Sequence, residues 1–289
     1  AVDGVKGGLG CLMAAGGGGE GYFLDVKQWK TLVEAFAQEV KGKVPTMVGV
    51  FELNTKHATE KIKFAEDLGI DFVQLAPPHY EKPTDLEVYQ HYKIINDAVS
   101  NIGIVVYHTY WSMPENYEMT LPLMTKVADL KSVVGIKWAS LNFKNFLDVL
   151  FALRDRVAMI DNLGWVDLVK SDYGMKAFMS PIGNYAPKKT AELAKLFIDG
   201  KFKEWAEENA KASAHRGVIM KEILRMVHGT VGKGEFCTLA EGTLGKTTCE
   251  LIGRPAGPPF PPQFNPSLEQ KAELKAKLEK MGLLPLGFS

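Results

Sequence analysis

The stretch Val133–Ala139, VVGIKWA, decides the fold. It is short, apolar and rich in β-branched residues, which reads as a buried strand. Side chains of a strand alternate between faces with a period of two. Val134, Ile136 and Trp138 therefore share one face, and Val133, Gly135, Lys137 and Ala139 share the other. The bulky face is expected to pack on a layer of helices. The small face is expected to point into a closed interior, with Lys137 as its one long member. Burying an ammonium is costly, and desolvation favours the neutral amine. A neutral amine can attack a ketone carbon and form an imine. The alternative is a lysine that snorkels out at a strand end, and position alone leaves the two readings even.

Outward from this strand, short apolar runs alternate with helical patterns. Upstream, strands are expected at Gly8–Ala15, Thr46–Phe51, Asp71–Ala76 and Gly103–Tyr107. The helices between them are expected at Val26–Val40, Asn54–Leu68, Thr84–Val99 and Leu121–Leu130. Asn54 and Asp25 are candidate N-caps. Downstream follow a helix at Asn142–Leu153, a strand at Val157–Asp161, a short helix at Trp165–Ser171, a strand at Ala177–Ile182 and a helix at Pro187–Asp199. Seven strand-then-helix units imply a parallel sheet covered by helices. A doubly wound sheet of about five to seven strands and a barrel of eight both fit that count. The inward lysine favours the α/β class in its (β/α)8 TIM-barrel form, with a first βα unit expected upstream of this chain. Residues 1–200 are assigned to the barrel, and residues 201–289 to a helical extension packed on it. In that extension Gly200–Arg225 reads as one or two amphipathic helices, and Gly253–Pro262, GRPAGPPFPP, as an extended crossing. A charged helix is expected near Pro266–Met281.

In such a barrel the chemistry gathers at the C-terminal ends of the strands. Those ends carry Gly16–Glu20, Phe51 and Glu52, Pro77–Tyr80, Tyr107 and His108, Lys137, Asp161 and Asn162, and the run from Ser180 to Asn184. Tyr107 shares a face with Gly103 and Val105 on the strand before the lysine strand. A phenol there can shuttle the protons that imine formation requires, or it can be an ordinary core tyrosine. The run Gly16–Gly21, GGGGEG, formally matches GxGxxG. A dinucleotide turn would open directly into a helix, and here Tyr22, Phe23 and Leu24 intervene. A glycine nest that holds a carboxylate through backbone N–H groups suits the run better, with a plain turn as the bland alternative.

Composition removes other classes. The 289 residues carry 34 basic and 34 acidic side chains, so no global field attracts nucleic acid or an anionic membrane. Basic residues are dispersed, without an aromatic-basic stripe. The three cysteines and six histidines show no metal spacing, and HExxH is absent. No metal and no cofactor is implied. Reduced thiols, no membrane-length apolar run and no signal segment lead to a cytoplasmic expectation.

These residues resemble the dihydrodipicolinate synthase / N-acetylneuraminate lyase superfamily of class I aldolases over nearly the whole chain. GGGGEGYFLDVKQWKTLVEAF resembles that family's GTTGE segment and its following helix. LAPPHYEKPTDLEVYQHYKII resembles its strand-four block, IVVYHTY its tyrosine strand and VVGIKWAS its GIKxxS lysine strand. MSPIGNYAPKK resembles its eighth strand, and IGRPAGPPFPP its proline-rich crossing.

The resemblance implies a barrel-borne lyase with Lys137 as Schiff-base lysine and Tyr107 as proton-transferring tyrosine. Gly17 and Gly18 take the positions that bind the carboxylate of a small 2-oxo acid. Met179 takes a position whose carbonyl faces substrate. Tyr80 matches an aromatic that reaches a neighbouring subunit in a homodimer or homotetramer. Asp161 and Asn162 replace a small pair and are expected to contact the distal part of the substrate, and His108 is expected among the substrate-binding residues.

Two departures bear on activity. The hydroxyls of GTTGE are absent, and the run from Tyr107 to Ser112, YHTYWS, lacks the arginine that serves a second carboxylate. Dihydrodipicolinate synthase itself is therefore not expected. A pyruvate-type aldolase or a sugar-acid dehydratase is, with Tyr110 and Trp111 favouring bulky partners. A non-catalytic 2-oxo acid sensor on the same barrel is the alternative of a different class. A nucleotide-dependent oxidoreductase rests only on the glycine match.

Overall fold

The structure is a computed structural model that describes residues 2–162, 173–228 and 240–284. The chain divides into two compact units, one of residues 10–16 and 24–179 and one of residues 2–9, 17–23 and 180–289.

The first unit holds seven strands: β1 Leu12–Ala14, β2 Thr46–Val50, β3 Phe72–Leu75, β4 Gly103–Thr109, β5 Val133–Ala139, β6 Ala158–Asp161 and β7 Ala177–Phe178. They form one all-parallel sheet in sequence order. Between them run α2 Val26–Val40, α3 Thr55–Asp67, α4 Asp85–Ala98, α5 Leu121–Ala128 and α6 Phe143–Leu153. Met13 of β1, Met47 of β2, Phe72 of β3, Val105 of β4, Ile160 of β6 and Ala177 of β7 all meet in one apolar cluster, joined by Met179. In a flat sheet β1 and β7 would stand roughly 28 Å apart. Their convergence means that the sheet curls on itself around a packed interior, as in a (β/α)8 barrel. Seven of its strands are present among the described residues.

The helices are positioned by their own ends and by polar anchors. Asp25 and Gln28 form a capping box at the start of α2, and Asn54 Oδ1 accepts the Lys56 N–H at 2.8 Å at the start of α3. Caps of this kind are each worth about 1 kcal/mol. Trp29 of α2 is fully buried, and its indole N–H donates to the Gly49 carbonyl of β2 at 2.9 Å. Tyr92 of α4 donates its hydroxyl to the Leu75 carbonyl of β3 at 2.9 Å.

In the second unit α1 (Val2–Gly7) packs on α7 (Pro187–Ile198), with a long α8 (Phe202–His228), α9 (Ala240–Leu251) and α10 (Leu268–Lys280). Its core is Ile219, Ile223, Leu244, Leu274 and Leu278. Glu20 is 1% exposed there. Its carboxylate accepts the Phe260 N–H at 2.9 Å and the Gln263 side-chain amide, and pairs with Lys246 of α9. One acid thus ties the glycine run to α9 and to the proline-rich crossing.

Several expectations change. The last strand ends at Phe178 rather than Ile182, because Pro181 cannot donate to a ladder and opens a 3-10 turn over Pro181–Asn184. Of the expected segment Gly200–Arg225, residues 202–225 lie within the single helix α8, and Gly200, at φ 73°, forms the turn before it. Helices α1 and α9 stand where the sequence suggested none. The short helix expected at Trp165–Ser171 lies outside the described residues. Cys11 and Cys249 are free thiols. Among the described residues, no helix is long and apolar enough to cross a membrane.

Candidate functional site in the barrel

Lys137 sits two residues beyond Gly135 on β5. Gly135 can only be small: a Cβ there would lie 3.1 Å from the Ala158 carbonyl oxygen and against Val105 and Ile160 of the interior cluster. Lys137 therefore faces the same interior, one level higher. Trp138 faces the opposite way and packs on Phe146 of α6 at 5.7 Å between centroids. The face assignment made from alternation holds.

Lys137 is 8% exposed. Backbone pairing sets it opposite Tyr107 on the neighbouring strand β4, and its Nζ lies 4.4 Å from the centroid of the Tyr107 ring. Phe51, just beyond β2, meets that ring edge-on at 5.9 Å. Nζ also donates to Oε1 of Gln74 on β3 at 3.1 Å. Gln74 is 1% exposed, and alternates with Phe72 so that both face the interior. Its Nε2 is buried without a partner. An amine, a phenol and an amide from three adjacent strands thus stand over an apolar floor. Such a set can bind a ketone, attack it and move protons at one carbon.

His108 is not brought to this group. Being one residue after Tyr107, it points to the helix side and packs against Trp138 and Tyr117. Its Nε2 accepts the Met119 N–H at 3.3 Å, so Nδ1 carries the proton, and burial pushes the imidazole down to about 4. Glu52, at the same rim, is engaged by nearly buried Lys61 of α3 at 2.5 Å. Met179 packs on the interior cluster. Asp161 ends β6, paired with Trp138 and Phe178. Asn162 follows it, with a buried Nδ2 that has no partner. Tyr80 lies 79% exposed in the loop after β3. Tyr110 and Trp111 pack edge-to-face on each other at 5.0 Å.

Gly17 and Gly18 belong to the second unit. The Glu20 N–H donates to the Gly17 carbonyl at 2.9 Å, and a Cβ on Gly17 would meet nothing. The left-handed residues of this loop are Ala15 (φ 52°) and Glu20 (φ 60°), not its glycines. Neither backbone handedness nor crowding requires glycine at positions 17 and 18.

Sequence reasoning passed over Gln74 and Glu20. The signal for Gln74 was present: FVQLA places a polar residue on the inward face of an apolar strand.

A family model described as the dihydrodipicolinate synthetase family matches residues 3–281. The chain belongs to that family. A 4-hydroxy-tetrahydrodipicolinate synthase of Geotalea daltonii is 27% identical over 202 residues, 69% of this chain and 68% of that protein. The crystal structure of dihydrodipicolinate synthase from Aquifex aeolicus superposes with a TM-score of 0.80 at 20% identity, covering 98% of this chain and 90% of that one. A prophage protein of the same family from E. coli K12, solved in complex with pyruvate, gives a TM-score of 0.80 at 20% identity over 97% and 90% of the two chains. Members of the family are lyases, and this chain is an enzyme of that class.

Proposed function

We propose that this chain is a Schiff-base lyase that acts on a 2-oxo acid through Lys137. One observation carries the reading: a lysine amine almost removed from water, inside a barrel, beside the ring of Tyr107. Nζ would add to the ketone carbon, forming a C–N bond while the carbonyl oxygen takes a proton. Loss of that oxygen as water would leave the protonated imine, an electron sink for breaking or making a bond one carbon away. Tyr107 would hand over and recover the protons. No cofactor is called for. Pyruvate bound by the prophage relative supports the substrate class.

The reading favours a pyruvate-type aldolase or a sugar-acid dehydratase over dihydrodipicolinate synthase. Tyr107–Ser112 offers no arginine for a second carboxylate, and Gly17 and Gly18 offer no hydroxyl for a proton relay. On this reading the Met179 carbonyl faces the substrate, and Asp161 and Asn162 contact its distal part. His108 supports the strand rather than the substrate. Exposed Tyr80 would pack in a homodimer or homotetramer. The setting is the cytoplasm.

Borohydride with pyruvate tests the core of this. The expected result is a reduced adduct on Lys137 in the peptide mass spectrum, absent from Lys137→Ala. An unmodified lysine under saturating 2-oxo acid would overturn it. A panel of aldol and sugar-acid substrates separates the two activities, because cleavage releases pyruvate and dehydration releases water. A protein that is trapped but turns over nothing on the panel would be the sensor.

A further inference from the structure

The geometry points to Gln74 as the residue that binds the carbinolamine formed on Lys137, accepting from its nitrogen and donating to its oxygen. This deepens the reading of Lys137 as an imine-forming lysine and rests on it.

The amide is oriented by its partner. Nζ donates to the amide oxygen, which therefore faces it at 3.1 Å. The amide nitrogen is then fixed on the other arm of the same plane. Its N–H groups are 1% exposed with their residue and have no partner. A buried donor left open is costly, and Phe72, Val105 and Met47 share its face or its strand neighbours.

Oxygen and nitrogen of one amide lie about 2.3 Å apart, by standard bond lengths. Whatever accepts from the Nε2 N–H on the oxygen's side therefore sits directly beside Nζ. Attack of the amine on a ketone creates that arrangement. The new C–N bond leaves an N–H on the lysine nitrogen and a hydroxyl oxygen on the same carbon. H–N–C–O of the carbinolamine then faces O=C–N–H of the amide, and two parallel hydrogen bonds close one ring. The free ketone has no bond to Nζ and cannot make both contacts in that fixed geometry, and the imine has lost the oxygen. Gln74 thus fits the tetrahedral species better than what precedes or follows it, which is the condition for accelerating the step. The step balances with the amine, the ketone and the protons that Tyr107 hands over and recovers. The carbonyl π pair goes to oxygen, which is protonated. The hydroxyl later leaves as water when the nitrogen lone pair forms C=N.

The test uses the full chain, pyruvate and borohydride, with the rate of adduct formation followed by intact mass across pH. Gln74→Leu removes both contacts and should slow trapping at saturating pyruvate about 10- to 100-fold, the usual effect of losing one donor to a tetrahedral intermediate. Gln74→Glu keeps volume and the acceptor but loses the donor. Its carboxylate holds the ammonium, so its profile should shift to higher pH and still plateau well below the native rate. A residue that merely anchors the amine would let the Glu variant regain the native plateau. That result, or a Leu variant at the native rate, would overturn the proposal. If the Leu variant fails to fold, as read from its circular dichroism, the Glu plateau decides alone. A native chain that is never trapped instead removes the lysine reading itself, and this inference with it.

Discussion

That Lys137 and Tyr107 face one interior was legible from strand parity, and their proposed roles came from the family resemblance. Each shares a face with a glycine on its own strand, and the backbone pairs them side by side. The same rule places His108 on the outer face, where it is found, and places Gln74 inward with Phe72. Adjacency to Tyr107 drew His108 into the site, and its parity removes it. Asn162, with its buried open Nδ2, lies past the end of a strand, where parity no longer speaks. Tyr107→Phe should keep the fold and slow pyruvate trapping about 100-fold, within the usual range for a lost proton-transfer group; an unchanged rate would leave the phenol a packing residue. His91 and His108 make a separate prediction. Burial lowers both imidazoles to about 4, from 6.5. A histidine depressed in the folded state stabilises the fold fully above the unfolded value, and that contribution is lost as pH falls from 6.5 towards 4. Each is worth on the order of 3 kcal/mol. Urea unfolding should therefore show stability falling over that window. Replacing His108 with Gln, which can still accept from the Met119 N–H, should flatten part of the slope.

At the scale of elements, periodicity and caps place most helices within a residue or two of where they lie. What escaped depends on partners distant in sequence. Helix α9 carries Gly242, Gly245 and three threonines, a poor helix by propensity. It is held by Lys246 on Glu20 and by the Thr248 hydroxyl on the Leu244 carbonyl at 2.7 Å. Gly242 has its own reason, since a Cβ there would stand 2.6 Å from Glu20 Oε1. Glu20→Ala would leave the Phe260 N–H and the Gln263 amide without this acceptor and the partly buried Lys246 ammonium with the Pro258 carbonyl alone. The expected cost is about 3–5 kcal/mol, seen as a lowered midpoint of urea unfolding; Glu20→Gln should recover a part of it. A loss under about 1 kcal/mol would make the cluster a surface-like pair despite its burial. Gly49 shows the same logic in the barrel, where a Cβ would meet the Ala15 carbonyl oxygen at 2.2 Å.

At the scale of the molecule, strand-and-helix alternation suits an open sheet and a closed barrel alike. The inward lysine tipped the reading to the barrel, and the meeting of Met13 with Ala177 in one cluster is the physical form of that choice. Assembly is a question of the same scale, and Tyr80 carries it. Burying an aromatic side chain contributes about 1.5–3 kcal/mol, yet Tyr80 is 79% exposed in a single chain, and Leu86, early in α4, is 63% exposed. Both belong to the loop and helix that follow β3, and each is a side chain that a second copy could cover. If they are subunit contacts, sedimentation velocity of the native protein should show a dimer or tetramer. Tyr80→Asp, which puts an unpaired charge at the contact, should move the boundary towards the monomer. Pyruvate trapping on Lys137 should survive in that monomer if Tyr80 serves assembly alone, and should fall with it if the ring reaches into the partner's site. An oligomer unaltered by Tyr80→Asp would take this residue out of the interface.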